Sequence, residues 1–250
     1  MVGESSKKTF ILDVDDTLMR TQHYYDFARM KFNTLLIRAL GEKCPSMDNL
    51  NKEYIELYIN IVEQNGFSKL EQFPEVMVKY YSLLCERLGA RFSQKTANKI
   101  YQIGWSAVNP DVYKKTAKLL PGAEETLDFL LAKNDEMFVY TRGNGILQNV
   151  KIDTLKLRKW CSRFYIVSTK DEQTFRNMVA GRKKEDCYSV GDSKKATLCR
   201  QGEQALKQSG FHMEMAAGLM TRILARKKRK RDFSSSKSFL TSKENMRSFS

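Results

Sequence analysis

Apolar and polar positions change their period along this chain. Ile11 and Leu12 form the end of a short apolar run that stops at a cluster of acids, as a strand does where it ends. From about 19 to 120 the apolar residues recur at helical spacing. Tyr25, Ala28, Phe32, Leu35, Leu36 and Ala39 form one stripe, Tyr54, Tyr58, Ile61 and Val62 a second, and Met77, Tyr80, Leu84 and Leu88 a third. Gly41, Gly66 and Gly89 stand where these helices should stop. Beyond Leu120 the pattern alternates. Pro121, Gly122, Glu124 and Glu125 open an amphipathic helix through Leu127, Leu130 and Leu131. Apolar strands follow near 137–140, 164–167 and 187–190, separated by helices near 146–157 and 172–179. Repeated crossovers of this kind predict an α/β protein: a Rossmann-like parallel sheet core over 1–19 and 120–195, with an inserted α-helical domain over 20–119. Ligands of such sheets lie at the carboxyl edge.

The candidate chemistry falls on that edge. ILDVDDTL, residues 11–18, brings Asp13, Asp15, Asp16 and Thr17 to the end of the first strand. On a continuing strand Asp13 and Asp15 share a face, and a cation or another electropositive group should neutralise them. An aspartate can attack phosphorus as a carboxylate nucleophile while a second, orientable aspartate handles protons. The plainer alternative is an acidic turn that caps the next helix, with Thr17 as the cap. In MFVYTRGNG a strand runs into Thr141 and a glycine-bearing turn whose backbone N–H groups suit an anion. FYIVSTKDEQTF sets Lys170 just past an apolar run, and CYSVGDS ends in Gly191 and Asp192, a further hard oxygen ligand.

Asp-x-Asp, Thr, Lys and Gly-Asp at four successive strand ends make the chain, over roughly 8–195, resemble the haloacid dehalogenase-like (HAD) hydrolases. The resemblance implies a Mg2+-dependent phosphatase acting on a small phosphorylated metabolite. By it, Asp13 is the nucleophile that forms an aspartyl-phosphate and Asp15 the general acid and then base. Thr141 hydrogen-bonds the transferring phosphoryl group, Lys170 offsets its charge, and Arg142 joins them in binding substrate. Asp13, the backbone carbonyl of Asp15, and Asp192 hold magnesium. Gln148 and Lys151 are packing or salt-bridge residues. The inserted helices resemble a cap over the mouth of the site, with His23 as a hinge or surface residue. A dehalogenase is disfavoured by the proton-handling Asp15, and a phosphomutase remains an alternative.

Composition sets the bounds. With 250 residues and 42% hydrophobic content the chain is long enough for a real core. No apolar run approaches a membrane span, and MVGESSKKTF lacks a signal-peptide core, so a cytoplasmic protein is expected. Cys44, Cys85, Cys161, Cys187 and Cys199 have neither CxxC nor metal-ligand spacing, which predicts reduced thiols.

The tail, 196–250, breaks the pattern. It holds 12 Lys+Arg against 4 Asp+Glu and includes RKKRKR and a Ser-rich end. Ala196 and Thr197 begin the stretch where the family has a second acid and a proline. One explanation is a nuclear-targeting or nucleic-acid arm, the latter on an impaired HAD-fold binding protein. The other is a displaced reading frame, because regrouped codons after Lys195 permit the family's continuation. On that second explanation nucleic acid is not a partner.

Overall fold

The computed structural model describes residues 7–67 and 69–191; Asp192 and the basic tail lie outside the described residues. Four strands form one parallel sheet in the order β3-β2-β1-β4. They are β1 (Thr9–Leu12), β2 (Glu136–Arg142), β3 (Arg163–Val167) and β4 (Cys187–Val190). All four residues of β1 are buried, as expected of a central strand covered on both faces. Leu12 stands opposite Val139 on one side and Val190 on the other. The Asp13 N–H continues this register by donating to the Val190 carbonyl at 2.9 Å. Three crossover helices complete the α/β unit: α6 (Ala123–Ala132), α7 (Gly145–Thr154) and α8 (Glu172–Val179).

Between β1 and α6 the chain makes five α-helices: α1 (Gln22–Leu40), α2 (Met47–Asn65), α3 (Gln72–Arg87), α4 (Gln94–Val108) and α5 (Pro110–Thr116). Ser46, Ser93 and Asn109 cap α2, α4 and α5 by accepting backbone N–H groups, each typically worth about 1 kcal/mol. Helices α1, α3 and α4 pack on one another around Phe32, Tyr80, Leu84 and Ile100. At the α3–α4 crossing a Cβ on Gly104 would stand 2.6 Å from Pro74 Cα, so only glycine lets the helices approach this closely. The two passages between sheet and helices are tied together, since the Leu120 N–H donates to the Leu18 carbonyl at 2.8 Å and Met19 bridges Leu119.

Several expectations meet the structure closely. Gly41 and Gly66 are the C-caps of α1 and α2. Gly89, at φ +56°, lies just past the Leu88 cap of α3, the usual place for a left-handed residue. Others need correction. The first strand stops at Leu12, so Asp13 and Asp15 do not share a strand face. The second runs on to Arg142, which places Thr141 inside it and not in the turn. Helix α4 buries Ala97, Gly104 and Ala107 beside Ile100 and Val108, and such small residues leave little hydrophobic periodicity to read. Cys44, Cys85, Cys161 and Cys187 are free thiols. Among the described residues no helix is long and apolar enough to cross a membrane.

Candidate active site

Asp13 follows the last residue of β1, and its carboxylate is divided between two donors. Oδ1 accepts the Val14 N–H at 2.8 Å, and Oδ2 meets Lys170 Nζ at 2.6 Å. Lys170 lies three residues beyond β3 and is 8% exposed, far from the solvated lysine its sequence context alone suggests. Asp171 fixes that loop. Its carboxylate caps α8 through Thr174 N and Oγ1, both at 2.7 Å, while its backbone N–H donates to Tyr140 Oη at 2.9 Å. Burial raises the Asp13 carboxyl above its ordinary value, against the opposing pull of Lys170.

Asp15 belongs to a separate network. Lys151 Nζ donates to its Oδ1 at 2.7 Å, Thr21 Oγ1 donates to the same oxygen at 2.7 Å, and Gln148 Nε2 donates to Oδ2 at 2.8 Å. Burial acts to raise this carboxyl as well, but Lys151, Thr21 and Gln148 outweigh it and hold it below its ordinary value. Each of the two carboxylates is neutralised by its own lysine. Lys151 is 1% exposed and sits 5.0 Å from the centre of the Tyr113 ring. Its salt-bridge role agrees with expectation. Thr21 was not foreseen, although a threonine just before a helix is a recognisable signal.

The capping alternative holds for Asp16 alone. At φ +54°, its Oδ1 accepts the N–H groups of Thr21 at 2.8 Å and Gln22 at 3.1 Å, where α1 begins. Thr17 is not the cap, and its buried hydroxyl has no partner among the described residues. In the turn after β2 the Gly143 N–H is spent on the Val167 carbonyl at 2.9 Å, so it is not free for an anion. A Cβ on Gly143, whose φ is +151°, would meet Gln148 Nε2 at 2.6 Å and displace a partner of Asp15. Thr141 is fully buried, and its Oγ1 lacks a hydrogen-bond partner among the described residues. His23 is exposed on α1, its ring 3.9 Å from that of Tyr24.

Asp13, Asp15, Arg142 and Lys170 meet at a cavity of about 390 Å³ between the sheet edge and the inserted helices. Arg142 lies 5.4 Å from the centre of the Phe67 ring. The Asp13 carboxylate on the floor is a hard oxygen ligand of the kind a divalent cation takes. Asp192, the third expected ligand, lies outside the described residues. Among the described residues no three His, Cys, Asp or Glu side chains cluster for a metal.

No protein-family profile matches the chain. No curated protein sequence matches it. Solved structures do. A haloacid dehalogenase-like family hydrolase from Xanthomonas campestris aligns with TM-score 0.63 and 20% identity, covering 78% of this chain and 77% of the other. A 2-haloacid dehalogenase from Pseudomonas syringae aligns with TM-score 0.44 and 16% identity over 74% and 77% of the two chains. The fold, a parallel sheet flanked by helices, is that of the haloacid dehalogenase-like hydrolases.

Proposed function

We propose that this protein is a Mg2+-dependent hydrolase of phosphate monoesters that works through an aspartyl-phosphate on Asp13. The observation that supports it most is the Asp13–Lys170 pair at the cavity floor: a buried carboxylate, oriented by the Val14 N–H and Lys170, at the end of the central strand. Asp13 attacks phosphorus and the ester oxygen leaves. Lys170 and Arg142 offset charge on the phosphoryl oxygens, which is where most of the barrier to phosphoryl transfer is lowered. Thr141, whose buried hydroxyl has no partner among the described residues, would donate to one of those oxygens. Asp13 and the Asp15 carbonyl, with Asp192 from outside the described residues, would hold magnesium, which when bound would supply further positive charge to the transferring group.

The surroundings of Asp15 suit one half of its role better than the other. A carboxylate held ionised by Lys151 and Thr21 is ready to take a proton from the water that hydrolyses the aspartyl-phosphate. To protonate the leaving group first, it must exchange these partners for the substrate and gain a proton. Release of phosphate from 4-nitrophenyl phosphate, with and without chelator, in the wild type and in Asp13→Asn, tests the proposal. Magnesium-dependent release lost in Asp13→Asn is expected, and release that survives both changes would remove the mechanism.

A further inference from the structure

The cavity sets a charged floor against a helical wall in which aromatic rings stand among Arg29, Lys69 and Gln72. Its floor holds Asp13, Asp15, Arg142 and Lys170, whereas the helical side carries Tyr25, Tyr54, Tyr58 and Phe73, with Phe67 on the α2–α3 connection. These rings pack edge to face. The Tyr25 and Tyr58 rings stand 5.0 and 5.5 Å from Phe73, each at 87°, and Tyr54 is 6.2 Å away at 82°. A wall of this kind offers ring faces and edges, which receive another ring better than they receive a flexible polar chain.

Two further observations point the same way. The wall's cations are already answered within the protein, Arg29 by Asp26 and Lys69 by Glu75, so a second strongly anionic group has little to recognise it there. Tyr54 Oη and Gln72 Oε1, on residues 2% and 6% exposed, are buried without a partner among the described residues. A ligand with a polar edge satisfies such atoms.

We propose that the cavity takes phosphate monoesters of ring-bearing alcohols, with the phosphate on the floor and one aromatic or heteroaromatic ring against the Tyr58–Phe67–Phe73 wall. This rests on the phosphatase reading of the floor and adds the class of leaving group. Phe67 and Tyr58 select for the ring; neither touches the reacting atoms.

The test compares 2-phenylethyl phosphate with ethyl phosphate, whose alcohols are similar leaving groups. The wild-type chain should favour the ring ester by roughly 30-fold in kcat/KM, the yield expected from burying one ring. In Phe67→Ala and Tyr58→Leu that preference should shrink several-fold through KM, with the ethyl phosphate rate retained. Equal turnover of the two esters, lost in Asp13→Asn, would overturn the ring site while leaving the phosphatase reading intact. Absence of turnover with either ester would fall on the phosphatase reading. The ring site is then judged by calorimetric binding of 2-phenylethylphosphonate against ethylphosphonate, where tighter binding of the first supports it and equal binding overturns it.

Discussion

The floor and the helical wall of the cavity are built on opposite principles. Besides Arg142, the floor holds two carboxylates, each matched to a lysine far away in the chain: Asp13 with Lys170, and Asp15 with Lys151. The wall consists of rings from α1, α2 and α3 that double as the packing of those helices. A buried ion pair fails badly when one member is removed, because the other charge is stranded. An aromatic cluster yields by degrees, losing contact area ring by ring. Damage to chemistry should thus be abrupt at the floor, and damage to recognition graded at the wall.

The sharpest break of that contrast is Asp13→Asn. The amide keeps the shape of the side chain but is a poor nucleophile, so turnover should fall by at least roughly 10,000-fold. Circular dichroism should show a folded protein, because Asn still accepts the Val14 N–H, with the unfolding midpoint lowered by the stranding of Lys170. Near wild-type phosphate release would mean that the floor does not work through a covalent intermediate.

Lys170→Met comes next. Loss of one preorganised charge should slow turnover by about 100- to 1,000-fold, and the residual activity carries a further signature. Burial raises the Asp13 carboxyl and Lys170 pulls it down, so removing the lysine lets it rise further. The acidic limb of the kcat/KM profile should therefore move to higher pH. An unmoved limb would separate Lys170 from the ionisation of Asp13.

At the second pair the stability effect depends on which partner is removed. Asp15→Asn strands Lys151, which is 1% exposed, and should cost about 3 kcal/mol in denaturant unfolding. Lys151→Met should cost less, since the Asp15 side chain is 28% exposed and keeps Thr21 and Gln148. The double variant should recover part of the Asp15→Asn loss. The sign with pH follows from the lowered folded carboxyl of Asp15. Its contribution is complete above the unfolded value near 3.8 and is lost as pH falls through the lower folded value, so the gap to Asp15→Asn should close in acid.

How much of this was legible beforehand follows the same division. The sequence pattern predicts a helix over 172–179 and a strand over 187–190, the bounds they have, because each is a short periodic run between polar punctuation. Asp13 and Lys170 stand out through the order of motifs along the sheet edge, and Lys151 only through the likeness of the segment after Thr141 to the family's. The partners of Asp15 were only half legible: a hydroxyl at 21 meets a carboxylate at 15 only because the chain turns at Asp16 with positive φ. That conformation leaves no periodic trace. Tyr54, Tyr58 and Phe73 show why the wall is harder still, since a ring that packs a helix and a ring that meets a ligand obey one spacing.

The smallest expected effect sits on that wall. Tyr54 is 2% exposed, and its hydroxyl has no partner among the described residues, while its ring packs against Phe32 at 5.6 Å and Phe73 at 6.2 Å. Tyr54→Phe keeps those ring contacts and removes only an unsatisfied polar atom, a change that is nearly neutral or mildly stabilising. Unfolding free energy should shift by less than about 1 kcal/mol, and turnover of a small ester such as ethyl phosphate should stay within about twofold, because no floor charge is touched. A loss well above 1 kcal/mol would show that the hydroxyl is hydrogen-bonded in the folded protein. The wall would then be held by specific polar contacts much as the floor is, and the contrast between the two would narrow to the ion pairs alone.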